Sequence, residues 1–269
     1  MKTRILAIAI LVIALLVVIS LVVVSLIPRT SLRQDENVQE KESKNIQEKI
    51  EKIEDGTEIL YWYKENKLEC CPVIRYKIEE NIYDCPLFPE GRQALYWIKN
   101  NTEKNAVFLS WYTYGGMIEG YSQRKAIARI YSIELASIIE EEIVLKNILE
   151  RAKTLPPDYF ESNETIRDVI QAFTTTNINV TKEIMRKYGA SYVFVMKQYN
   201  ASLYLYGNPG YMPGFRWDLN DIFKIAKLYF NEELVEEKTV IVRLIENRET
   251  GELELIYSDS YVNIYRLKI

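Results

Sequence analysis

Trp111, Tyr112, Thr113 and Tyr114, followed by Gly115 and Gly116, stand at the exit of the apolar run Ala106–Trp111 in the stretch NAVFLSWYTYGGMI. Aromatic walls beside a hydroxyl suit the exclusion of water around a hydrogen bond, and so suit binding more than bond breaking. Two uses fit these residue types. One is a binding loop at the C-terminal end of a strand, the usual place for sites in α/β folds. The other is an anchor in which Trp111 and Tyr114 pin the chain to the core while Gly115 and Gly116 permit a tight turn.

Other chemistry is narrowed by what the 269 residues contain. There is no histidine, which removes the commonest general base, the Ser-His and Cys-His nucleophiles and most zinc sites. Any reaction would rest on carboxylates, tyrosines or lysines. The formal charge of −4, with no lysine- or arginine-rich stripe, argues against a nucleic-acid partner. Cys70, Cys71 and Cys85 are the three cysteines. A bridge from Cys70 or Cys71 to Cys85 would close a loop worth about 3 kcal/mol and leave one thiol over; three unlinked thiols are the alternative. Abundant Tyr, Ile, Glu and Lys make a composition often met in thermophiles.

The elements that would position these residues follow from the hydrophobic pattern. Residues 5–27 are apolar or small without a charge, about 34 Å of helix, enough for the hydrocarbon core of a bilayer. The run is too long for a cleavable signal, and no Gly or Ala marks a pilin-type leader at its start. Lys2 and Arg4 favour an inner N-terminus. The expectation is a single-pass anchor (residues 1–28), a polar stalk (29–55) and an extracytoplasmic domain (56–269), placing the protein at the cell membrane with its C-terminal domain outside. Ile46, Ile50 and Ile53 recur at i, i+4 and i+7, which predicts a stalk helix that could oligomerise.

Beyond the stalk, PEGRQALYWIKNN predicts a helix with Ala94, Leu95 and Ile98 inward, and AVFLSW a buried strand. SIELASIIEEEIVLKNILERAKTL predicts a long helix and ETIRDVIQAF a short one. NVTKEIMRKYG predicts a helix closed by Gly189 in the left-handed region. SYVFVMK is a second buried strand, GNPGYMPGFR a loop, and DLNDIFKIAKLYF a helix with Ile222, Ile225, Ala226 and Tyr229 inward. KTVIVRLIEN and LELIYSDSYVNIYRLKI read as strands paired through RETGE. The sum is an α/β fold, a mixed layered sheet with flanking helices.

In this order, the pieces resemble the C-terminal soluble domain of the catalytic subunit of oligosaccharyltransferase, of archaeal or eukaryotic type. In that family a helix of the ALEWLRENTP kind leads into a strand ending in WWDYG. Here the helix is ALYWIKNNTEKN, and the motif is Trp111, Tyr112, Thr113, Tyr114 and Gly115. RKAIA is similar to an RTPIAD stretch, NVTKEIMRKYGASYVFV to a helix, K-Y-G and strand unit, and SDSYVNIYRLKI to a closing strand. The likeness covers roughly Gly91 to Ile269. The family also has a D-x-x-K-x-x-x-[MI] helix beside WWDYG, and Asp221, Lys224 and Leu228 fit its spacing. Residues at i, i+3 and i+7 share one helix face and could wall a pocket; an ordinary amphipathic surface helix has the same pattern.

The resemblance implies binding of the Ser or Thr that lies two residues after an acceptor asparagine. Thr113 stands where the family has aspartate, and exchanging a charge-assisted hydrogen bond for a neutral one forfeits about 1 kcal/mol. It also implies that metal-binding carboxylates and the lipid-linked donor site belong to a multi-pass membrane region, which this chain is not expected to supply. The expectation is therefore a relative of the enzyme, accessory or peptide-binding in N-glycosylation, with no catalytic residue, metal or cofactor of its own. The alternative is an anchored surface or adhesion protein that keeps only the fold. Partners would be an oligosaccharyltransferase or surface-layer proteins. Asn100, Asn163, Asn179 and Asn200 begin glycosylation sequons.

Overall fold

The computed structural model describes residues 46–53, 56–64, 67–68, 72–143, 159–197, 219–230, 235–248 and 250–268. The chain divides into two units, residues 1–46 and 47–269. Apart from Ile46, everything described belongs to the second. It is a mixed α/β structure with two sheets and flanking helices.

The first sheet comprises β1 (Ile46–Lys52), β2 (Glu58–Lys64), β3 (Lys67–Leu68), β4 (Val73–Ile78) and β5 (Asn81–Pro86). Its order is β1-β2-β4-β5, with β3 paired to β2. Between β1 and β2 the Ile53 N–H donates to Thr57 O at 2.7 Å, and Gly56 takes φ +77° in the connection. The second sheet comprises β6 (Val107–Ser110), β7 (Lys125–Ala126), β8 (Tyr192–Met196), β9 (Leu253–Ser258) and β10 (Val262–Leu267), in the order β7-β6-β8-β10-β9. β6 is parallel to β7 and β8, whereas β10 is antiparallel to β8 and β9. Every residue of β8 is buried, as a central strand covered on both faces must be.

The helices are α1 (Arg92–Asn101), α2 (Tyr112–Met117), α3 (Ile133–Ile143), α4 (Asn163–Thr174), α5 (Ile178–Lys187), α6 (Leu219–Phe230) and α7 (Val240–Glu246). A single π-helical turn, Ile118–Ser122, continues α2. The inward residues expected on α1 and α6 are those that pack into the core. Gly189 closes α5 with φ +67°.

Three expectations are corrected. Residues 46–52 form a strand rather than a stalk helix, because this segment pairs one edge of its backbone with β2, while Ile50 is exposed and Ile53, just beyond the strand, packs on the core. Residues 240–246 are helical rather than extended. Val240, Ile241 and Leu244 are buried at i, i+1 and i+4, and this packing overrides the β preference of Val and Ile. The final hairpin is consequently β9–β10, turned by Asp259, whose carboxylate accepts from the N–H groups of Tyr261 and Val262 at 2.7 Å each. The third correction is at Trp111–Gly116, which opens helix α2 instead of a loop. The expected span at residues 5–27, the loop at 207–216 and the distal part of the long helix after Ile143 lie outside the described residues. Among those described, no helix is long and apolar enough to cross a membrane.

Candidate functional site

β6 delivers Ser110 into the sheet opposite Phe194 and hands the chain directly to α2. Trp111 is the residue before the helix and Tyr112 its first; both are only 1% exposed. The Trp111 ring lies 5.1 Å from that of Tyr112 and 6.2 Å, edge-on, from Phe173 of α4. Tyr114 packs on Phe88 and Phe194. Around these rings, Ser110 Oγ, Trp111 Nε1 and Thr113 Oγ1 are buried without a hydrogen-bond partner among the described residues. Three polar atoms in four residues are thus held out of water and unsatisfied, at a cost of about 1–3 kcal/mol each.

The glycines do not make a tight turn. They let three surfaces approach the helix. A Cβ on Gly115 would lie 1.8 Å from Ala128 O, one on Gly116 2.8 Å from Cys85 Cβ in β5, and one on Gly120 2.6 Å from Ile74 Cγ2 in β4. Helix α2 and its π turn are therefore clasped between the first sheet and the strand-like segment after β7. RKAIA supplies the other half of the clasp. Lys125 and Ala126 form β7, Ala128 receives Gly115, and the Arg124 guanidinium donates to the carbonyls of Lys99 (2.7 Å) and Thr102 (2.9 Å) at the end of α1.

Next to this clasp lies a partly buried ionic cluster with no local sequence signature, since its members are far apart in the chain. The Arg129 guanidinium sits 3.7 Å from Glu119 and 3.4 Å from Glu161, 4.7 Å over the ring of Tyr83. Tyr83 in turn stacks on Tyr76 and Tyr159. Glu119 also accepts from the Ala126 N–H at 3.2 Å, and Glu161 from the Arg129 N–H at 3.3 Å. Burial pushes both carboxyls up despite the arginine between them. Burial opposes the charge on Arg129 as well, but the two glutamates outweigh it and hold the guanidinium more firmly protonated than usual.

The D-x-x-K positions lie elsewhere. Asp221, Lys224 and Leu228 are on α6, whose Ile222, Ile225 and Ala226 face the core. Lys224 is exposed and Leu228 is 39% exposed, so these two belong to the outward face. Both α6 and Trp111 meet α4: Trp111 through Phe173, and α6 through Phe230, over which the Arg167 guanidinium sits at 5.4 Å.

Cys85 is a free, buried thiol against Gly116, and burial raises its pKa well above the ordinary value. Cys70, Cys71 and Asn200 fall outside the described residues. The other three sequon asparagines are exposed and helical, and their threonines are engaged. Thr102 donates to Ile98 O, Thr165 pairs with the Ser162 hydroxyl that caps α4, and buried Thr181 donates to Ala172 O.

No protein-family model matches the chain, and no curated protein matches it. Among solved structures it is similar to the C-terminal globular domain of oligosaccharyltransferase from Archaeoglobus fulgidus. One crystal structure of that domain is 16% identical with a TM-score of 0.40, covering 68% of this chain and 99% of its own. A second is also 16% identical with a TM-score of 0.36, covering 67% and 96%.

Proposed function

We propose that this protein is a non-catalytic relative of the oligosaccharyltransferase catalytic subunit, tethered to the membrane through residues 5–27, that holds acceptor peptides for N-glycosylation on the outer face. The ordered motifs from ALYWIKNN to SDSYVNIYRLKI support the kinship. The observation that carries the binding role is the set of unsatisfied atoms at the exit of β6: Ser110 Oγ, Trp111 Nε1 and Thr113 Oγ1. A peptide hydroxyl and its backbone would complete them on displacing the side chains that cover them. With threonine in place of a carboxylate, affinity is modest.

The test is titration of the full chain in detergent with an Asn-x-Thr peptide and an Asn-x-Ala control. The expected result is a preference for Asn-x-Thr that Thr113→Asp strengthens several-fold, corresponding to about 1 kcal/mol. Equal binding of the two peptides by both proteins would overturn the assignment. A second reading, an anchored surface protein that uses the motif only for packing, is favoured by the near-complete burial of the Trp111 and Tyr112 rings. Purification from detergent-solubilised membranes separates the two: an oligosaccharyltransferase accompanies the first, surface-layer or filament proteins the second.

A further inference from the structure

We infer that β1 is a self-pairing edge: two copies of the chain join antiparallel along it, about a two-fold axis through Ile50, and fuse their first sheets into one. Among the described residues β1 has β2 on one side and no strand on the other. Just past β1, the Ile53 N–H points to Thr57, the residue before β2. Backbone direction alternates along a strand, so the N–H and C=O groups of Lys52, Ile50 and Glu48 point to the open edge. Those groups are a template for another strand, and Ile50, with its side chain 50% exposed, stands in their middle.

The charges select both the occupant and the register. Open edges are commonly blunted by charged side chains that repel a partner, but IQEKIEK is complementary to itself when reversed. Pairing Ile50 with Ile50 of the second copy sets Glu48 against Lys52 and Lys49 against Glu51, and it matches outward-pointing groups with outward-pointing groups. A shift of two residues in pairing sum sets Lys49 against Lys49 in one direction and Glu51 against Glu51 in the other, and like charges directly opposite are destabilising. A shift of one breaks the hydrogen-bond alternation. Glu48 and Lys52 are exposed, and no ion pair among the described residues engages them. Glu51 is already held by Arg92 at 2.9 Å and by the Tyr61 hydroxyl at 2.6 Å, so the Glu48–Lys52 pairs carry the selection.

The experiment measures the mass of the full chain in detergent by light scattering across a concentration series. A dimer is expected. Lys52→Glu should weaken it about tenfold, because two attractive pairs become repulsive, and the double exchange Glu48→Lys, Lys52→Glu should restore it. In a Cys70→Ser, Cys71→Ser background, Ile50→Cys should cross-link to itself on oxidation, since facing Cα atoms of a hydrogen-bonded pair lie about 5.5 Å apart. A monomer at all concentrations, a dimer indifferent to Lys52→Glu, or a dimer that Ile50→Cys does not cross-link would overturn the inference.

Discussion

The segment from Trp111 to Gly120 and helix α6 carry two parts of one resemblance, and the chain treats them differently. The first is largely buried, with glycines admitting backbone and side chains from β4, β5 and the segment after β7. On the second, Lys224 and Leu228 look outward and the core is served by the residues between them. A short motif can persist because packing leaves no room for change, or because an outward face does something. Burial separates the two cases where spacing does not.

The sharpest way to break the comparison is Gly115→Ala. With backbone 1.8 Å from the new Cβ, the clasp must open, and chemical denaturation should show a loss of at least about 4 kcal/mol or no folded protein at all. Trp111→Ala should cost about 3–5 kcal/mol by the same measurement, as expected for a buried aromatic ring, and Trp111→Phe distinctly less.

A subtler effect distinguishes the partly buried cluster beside the clasp from carboxylates elsewhere. Glu119 and Glu161 have raised pKa values in the fold, chiefly from burial. As pH rises from the ordinary value of 4.5 through the folded value, the unfolded chain sheds these protons first and stability falls. Glu51 and Glu103 are shifted the other way, by hydrogen bonds from Tyr61 and Tyr192. Their contribution is present above 4.5 and is lost as pH falls through their lowered values. Denaturation midpoints between pH 7 and 5 should therefore rise less on acidification in Glu119→Gln than in the wild type.

The smallest effects belong to α6. Lys224→Ala and Leu228→Ala should each change stability by no more than about 0.5 kcal/mol. If either costs well over 1 kcal/mol, the outward face is structural too. If both leave stability intact but weaken binding of an Asn-x-Thr peptide, the face belongs to the site.

Much of this was legible in the sequence where one periodicity dominated. Helices α1, α4, α5 and α6 show a clean inward stripe, and β8 is a short apolar run ending against a charged residue. Gly189 announced its left-handed cap. Strand β1 was misread because three isoleucines fit a helical spacing while the backbone pairing that decided the outcome left no mark in the pattern. Helix α7 was misread because Val240, Ile241 and Val242 favour strands, yet the strands beside it needed a cover: Asn263 and Tyr265 of β10 donate to Leu244 O at 2.9 and 2.6 Å. At the site, the aromatic residues were found and the glycines were misassigned, because a close approach depends on which distant segment arrives. The Glu119–Arg129–Glu161 cluster had no signal at all, being assembled entirely by the fold.

Arg124 has a consequence of its own. Besides the two carbonyls at the end of α1, its guanidinium reaches Thr102 Oγ1 (3.1 Å) and the carbonyls of Ser122 (3.1 Å) and Gln123 (3.2 Å), where the π turn ends. A planar fork serves five acceptors at once, which the compact ammonium of lysine cannot imitate. The two segments it ties together can therefore fray only jointly. In native-state hydrogen exchange, the amides of the last turn of α1 and those leading out of the π turn would open as one cooperative unit, with a shared protection free energy.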